Sequence, residues 1–279
     1  MQPLFTRRGY RRSFTLVEML AVVVIIAILA GLVTAGAVVA RKRAAITMIQ
    51  MELQQLDMAL RSYKEKYGEY PPDNFADTNA VQRHLARAFP RYNSSTWATD
   101  FQTATGIPAS SITPFGSLVF WLGGIRDADG QPSGFSANPQ NPFAAPAAVS
   151  SRTEPFFEFD LKRLKFTAAQ QGYWPPNAKG TLTTGAYVYF RAENGDYSTK
   201  AATDGSETAY PARNTEVSAT AWANPKSFQV LSAGLDLRYD DPDTPLNTFP
   251  AFPAGTNYTD AHYDNQANFC QGTFEDEMP

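Results

Sequence analysis

Two histidines and one cysteine are all the imidazole and thiol groups that the 279 residues offer. Cys270 has no partner for an internal disulfide, and nothing around it in sequence marks a reactive thiol, so it reads as buried and inert. His84 and His262 do not form a His-x-x-x-His ligand pair. His84 falls in a short helical stretch, where it reads as a surface or half-buried side chain. A Gly-x-Ser-x-Gly turn, a phosphate-cradling glycine loop and a Cys/His nucleophile pair are all missing. No catalytic residues emerge, and the chain is not expected to be an enzyme. No repeat with a period of 20–50 residues is visible. The formal charge of −3 argues against a nucleic-acid partner.

Acid is missing from residues 1–13, which carry Arg7, Arg8, Arg11 and Arg12. The basic end and the acidic remainder therefore serve different ends. Long apolar runs are also scarce, with a single exception. Met19 to Ala40 holds 22 residues without a charge, about 33 Å of helix and enough to cross the hydrocarbon once. A cleaved secretory signal peptide has a shorter apolar region, ~7–15 residues, ending in a small-residue cleavage site. Charge does not orient the span, because Arg41, Lys42 and Arg43 follow it as the four arginines precede it. Glu18 sits at its start, where a lone charge at bilayer depth costs about 2.5–3.5 kcal/mol.

The helical pattern continues past the span. Ile46, Ile49, Leu53, Leu56, Leu60, Tyr63 and Tyr67 recur at alternating intervals of three and four, and so line one face. Glu52, Gln54, Gln55, Arg61, Lys64 and Glu65 mostly fall off that stripe. Gly68 and Pro71-Pro72 end the pattern. A helix over 14–67 is expected, membrane half 14–40 and amphipathic half 41–67. Its stripe serves either a coiled coil or, with only about three heptads present, docking onto the chain's own body.

Residues 68–279 read as that body. "DNFADTNAVQRHLARAF" predicts a loop and a short helix capped by Asp77 or Thr78, with Val81, Leu85 and Phe89 on one face. Strands are predicted at "SLVFWL" (117–122), "PFFEFD" (155–160), "AYVYFR" (186–191) and "SFQVLS" (227–232), with a tight turn at Asn194-Gly195. The stretches 131–153 and 200–226 read as long loops. Trp97, Trp121, Trp174 and Trp222 are expected mainly in the core. "RDADGQ" (126–131) begins like a calcium loop, but Asn138 stands where the closing Glu belongs, so a turn is expected. The fold class is α+β: a long N-terminal helix packed on an antiparallel sheet body, with residues 73–226 as a possible insertion.

The segment "RRSFTLVEMLAVVVIIAIL" resembles the N-terminus of type IV pilins and type II secretion pseudopilins: a basic leader, a small residue, Phe-Thr-Leu-x-Glu and a long apolar helix. Ser13 stands where the family usually has Gly. The resemblance implies a leader over 1–13, cut by a prepilin peptidase between Ser13 and Phe14 on the cytoplasmic side, then methylation of the Phe14 amine. It implies that Glu18 pairs with the Phe14 amine of an adjacent subunit. Partners would be further copies, other pilin-like subunits and an inner-membrane assembly platform. The chain would be a single-pass protein of the cytoplasmic membrane, body outside, before joining a fibre.

"FQVLSAGLDLRYDDPD" and "YDNQANF" resemble more weakly the end of the major pseudopilin body, where an acidic loop commonly binds calcium. No cofactor is required; structural calcium would take oxygens from Asp236, Asp240 and Asp264, with Asp241 and Asp243 nearby. The function expected is a fibre subunit whose mechanism is assembly. The alternatives are a minor or tip pilin acting as an adhesin or binding protein, and a membrane-anchored enzyme.

Overall fold

The computed structural model describes residues 15–144, 151–180, 182–204, 207–241 and 248–279. The leader, Ser13, Phe14 and Asp243 lie outside the described residues. The chain divides into two compact units, Met1–Ala44 and Ala45–Pro279.

One helix, α1 (Leu16–Tyr67), runs through 52 residues, as the uninterrupted pattern predicts. In the first unit its large apolar residues from Leu16 to Val39 are each at least 45% exposed, and the helix is long and apolar enough to cross a membrane. In the second unit Ile49, Leu53, Leu56, Leu60, Tyr63 and Tyr67 are buried, so the stripe is the docking face.

Helices α2 (Thr78–Ala88), α3 (Trp97–Thr105) and α4 (Pro114–Gly123) follow. Asp77 caps α2 by accepting from the Ala80 amide, and Val81 and Leu85 are buried beneath it. Helix α4 replaces the strand expected at 117–122. Pro114 starts it, Gly124 ends it at φ +72°, and every residue from Phe115 to Gly123 is buried. A fully apolar run does not reveal its period, which is why the sequence misleads here.

The strands are short: β1 (Leu164–Phe166), β2 (Gln171–Tyr173), β3 (Val188–Arg191), β4 (Ala202–Asp204), β5 (Glu207–Ala209), β6 (Arg213–Asn214), β7 (Phe228–Ser232), β8 (Ala251–Phe252) and β9 (Gln266–Ala267). The central sheet has the order β3-β7-β9 and is antiparallel throughout, with Val188 opposite Leu231 and Leu231 opposite Ala267. Its two faces separate two cores. Tyr187, Tyr189, Phe228 and Val230 pack with the α1 stripe, α2 and α4; Val188, Phe190 and Leu231 pack with Trp174, Trp222 and Phe252. All four tryptophans are buried. The Asn194-Gly195 turn joins Glu193 to Asp196, both central residues at positive φ, as a tight hairpin turn requires.

Two further expected features differ. Residues 155–160 are irregular rather than a strand: Phe157 and Phe159 are buried, and Asp160 accepts from the Lys162 amide to start a single helical turn. The 200–226 stretch contains β4, β5 and β6. Residues 126–131 form a turn, Asp127 Oδ1 accepting from the amides of Asp129 and Gln131.

Within the second unit, polar side chains fix the stretch of α1 from Gln50 onward on the body. Glu52, buried beside the stripe, accepts from both terminal nitrogens of Arg163, at 2.9 and 2.6 Å. It also accepts from the hydroxyls of Tyr173 and Tyr187, both at 2.8 Å. Asn268 donates to Asp57 at 2.8 Å, and Gln50 donates to the Cys270 carbonyl. His84 is buried rather than half-exposed. It donates from Nδ1 to Glu69 at 2.8 Å and accepts at Nε2 from the Tyr63 hydroxyl, also at 2.8 Å. Burial lowers the His84 pKa, keeping the ring neutral, while the hydrogen bond from His84 holds the Glu69 carboxyl down to about 2.

Removing one partner of a buried pair leaves the other desolvated and costs about 3–5 kcal/mol. Arg163→Met should therefore lower the unfolding free energy of the second unit by about 3 kcal/mol in urea titrations of the detergent-solubilised chain. The double variant Glu52→Met/Arg163→Met should recover most of that loss. Equal losses in both would show that the pair contributes by packing alone.

Candidate functional site

The N-terminal turn of α1 is the first site that the sequence singles out. Thr15 stands just before Leu16 and Glu18 is the third helical residue. The Thr15 amide and hydroxyl both donate to Glu18 Oε2, at 2.8 and 2.9 Å, and the Glu18 amide donates back to Thr15 Oγ1 at 3.2 Å. This is a reciprocal capping box, Thr-x-x-Glu, which satisfies donors that a helix end leaves open. The carboxylate also faces the positive end of the helix dipole. Glu18 is thus engaged by its own chain, a partner that the Phe-Thr-Leu-Val-Glu order hides while the Thr-x-x-Glu spacing reveals it. Ser13 and Phe14 lie immediately before this turn, outside the described residues.

The second site is the acidic C-terminal loop. Asp264 Oδ2 accepts from the amides of Leu235 and Asp236, at 2.7 and 3.1 Å, so two of the three predicted carboxylate residues meet through one carboxylate and one amide. Asp236 Oδ1 accepts from the Arg238 amide at 2.8 Å. Asp240 is buried; its Oδ1 accepts from the Asp241 amide at 2.8 Å and from the Thr259 hydroxyl at 3.2 Å. Asp241 pairs with Arg238 at 3.1 Å. Gly234 holds a φ of +63°, and a Cβ there would lie 2.2 Å from the Asp264 carbonyl oxygen, so only glycine fits this crossing. Leu237 takes the left-handed φ of +62°, a position where glycine would be at ease. Among the described residues, no group of three or more His, Cys, Asp or Glu side chains is placed to hold a metal ion.

Cys270 is buried, and burial pushes its thiol up to about 12, as befits an inert residue.

With this geometry in view, the comparisons bear on the first site. Residues 8–34 match the family model described as the prokaryotic N-terminal methylation motif. That motif is typical of type IV pilins and pseudopilins, and the match covers about a tenth of the chain. It implies in general assembly into pilin-like fibres and processing by a prepilin peptidase. Together with the apolar helix it fits a membrane-anchored pilin precursor. The chain matches no curated protein and no solved structure.

Thr15→Val deletes both hydroxyl bonds of the capping box, and loss of an N-cap costs about 1 kcal/mol. In detergent micelles, the amides of residues 16–18 should exchange several-fold faster in the variant. Unchanged exchange would mean that the box does not hold this turn.

Proposed function

We propose that the chain is a pseudopilin-like structural subunit of a type II secretion or type IV pilus fibre. The observation that carries this reading is the methylation motif at residues 8–34, set at the head of a 52-residue helix whose first unit is apolar and exposed. The helix inserts in the cytoplasmic membrane, with the body on the extracytoplasmic side. Prepilin peptidase cuts between Ser13 and Phe14, and the mature chain polymerises through α1 with copies of itself and other pilin-like subunits on an inner-membrane platform. Its work is assembly rather than catalysis.

The chemistry of the cut suits Glu18. A new α-amino group has an unperturbed pKa near ~8 and is mostly cationic at neutral pH. Within one chain, Glu18 is held by Thr15. An incoming subunit's Phe14 ammonium offers a full opposite charge instead, in a seam from which water is excluded, so a Coulomb attraction between two charges is added to the hydrogen bond. Assembly is then an exchange of partners at Glu18, which offsets the cost of its charge at bilayer depth.

The test has two readouts on the same membranes. Mass spectrometry should find a mature N-terminus at Phe14; a chain retaining Arg11 and Arg12, or one cut after Ala40, contradicts the reading. Glu18→Ala should still insert and be processed, yet lose the crosslinked oligomer ladder. A normal ladder in that variant would remove Glu18 from assembly.

Calcium at Asp236, Asp240 and Asp264 belongs to the same reading. The ion would have to draw Asp240 Oδ1 and Asp264 Oδ2 from the amides and the hydroxyl that hold them, so its gain is the difference between two sets of contacts. A ligand bound by the folded state alone adds about 2.7 kcal/mol at a hundredfold excess over Kd. The detergent-solubilised chain should melt higher in millimolar calcium than in chelator, and Asp264→Asn should abolish the difference. Identical melting curves would strike calcium from the account.

A further inference from the structure

Water barely reaches the ion pair of Lys200 with Asp73, whose side chains are 7% and 4% exposed. Asp73 stands between α1 and α2, and Lys200 between the Asn194-Gly195 turn and β4. Lys200 Nζ lies 3.0 Å from Asp73 Oδ1 and 2.6 Å from Glu193 Oε1. The side-chain carbon of Asp73 is therefore at most about 4.2 Å from the amine, a carbonyl bond being ~1.23 Å long. The Arg191 amide donates to the other carboxyl oxygen, Oδ2, at 3.1 Å. Glu193 is half-exposed and, with Asp73, lines a cavity of about 460 Å³.

An ion pair needs only one carboxylate, and Lys200 has two. Burial pushes the Asp73 carboxyl up, toward the neutral acid. At Lys200 burial acts to pull the ammonium down, but Asp73 and Glu193 outweigh it and hold its pKa up. The amine thus gives up its protons only to bases in contact, and these two carboxylates are in contact.

We infer that Lys200 and Asp73 condense into an amide, a covalent crosslink within the chain, with Glu193 as the catalytic residue that carries the proton. One ammonium proton passes to Asp73 Oδ1, leaving a neutral amine and a neutral carboxylic acid. Nζ attacks the side-chain carbon of Asp73; the C–N bond forms as the C=O bond opens, and the Arg191 amide holds the oxyanion that develops on Oδ2. Glu193 takes a second proton from the nitrogen and delivers it to the hydroxyl on Oδ1. The C=O bond re-forms and the hydroxyl leaves as water. One ammonium and one carboxylate become one amide and one water, and Glu193 ends as it began. Two effects drive the step. Holding two reacting groups in the right geometry reaches effective concentrations of ~10⁵–10⁸ M. The product also replaces two buried charges, each costly away from water, by a neutral amide. The bond spans 127 positions and closes α2, α3, α4 and β1 to β3 into a covalent ring. It holds whether or not the chain assembles into fibres.

Peptide mass spectrometry of the purified full chain, digested with trypsin after denaturation, tests this. A bonded Lys200 resists cleavage. The expected product in most chains is a branched species, residues 67–83 joined to residues 192–213, lighter than the two together by one water. Linear 67–83 with cleavage after Lys200 overturns the proposal and leaves a plain ion pair. Lys200→Arg keeps the cation and cannot form the amide; it should give linear peptides only and melt several degrees lower, since a crosslink restrains the unfolded chain. Glu193→Gln keeps the size of the side chain and removes the base. The branched species should then accumulate roughly 100-fold more slowly after a pulse of synthesis. Accumulation at the wild-type rate in a folded Glu193→Gln chain would remove Glu193 from the chemistry.

Discussion

Glu52 is a carboxylate taken out of water, and the architecture of the second unit turns on how it is satisfied. Arg163 meets it with two nitrogens from the turn before β1, while Tyr173 and Tyr187 reach it from β2 and from just before β3. Four donors from three segments converge on one helical position. Apolar burial along the stripe holds α1 against the body without fixing its rotation or its height. A bidentate ion pair with two further hydroxyls fixes both, since any slide leaves a buried charge unpaired. The hydrogen bonds of Asp57 with Asn268 and of Gln50 with the Cys270 carbonyl add C-terminal attachments.

That constraint gives the helix its dual use. The side facing the body is settled by Glu52 and the stripe, so the exposed side keeps one orientation with respect to the body. In the first unit the same helix is apolar and open all round, as a segment solvated by lipid or by like helices must be. At its head, Thr15 and Glu18 satisfy one another. On the reading proposed, an N-terminal cut converts that local satisfaction into competition between a neutral donor pair and a cation from another subunit. Neither the capping box nor the buried clamp calls for an active site.

Much of this was legible in the sequence wherever one physical pattern ruled. The α1 stripe, the Asp77 cap, the Asn194-Gly195 turn and the strands at 188–191 and 228–232 rest on periodicity or on turn chemistry, and the structure has them. The methylation motif was legible because order and spacing are its content. The misses share a cause: partners distant in sequence decided them. "SLVFWL" is apolar on every side, so helix and strand fit it equally until its surroundings choose. "PFFEFD" buries Phe157 and Phe159 without pairing as a strand. Spacing groups Glu52 with the residues that mostly fall off the stripe, and its burial is not visible there because Arg163 lies 111 positions away. His84 is buried because Tyr63 and Glu69 satisfy both of its nitrogens. The Thr-x-x-Glu box was within reach of the sequence, and its local role was overshadowed by the family pattern that contains it.

On the reading proposed, everything in assembly turns on Glu18 exchanging Thr15 for the Phe14 amine of another copy. The most direct measurement is solid-state NMR on fibres assembled from two populations of subunits, one labelled with nitrogen-15 at the Phe14 amine and the other with carbon-13 at the Glu18 carboxyl. The account predicts a through-space coupling between the two populations, at a separation of the ion-pair kind, within about 4 Å between nitrogen and oxygen. Fibres that form with no coupling between the two populations would contradict it.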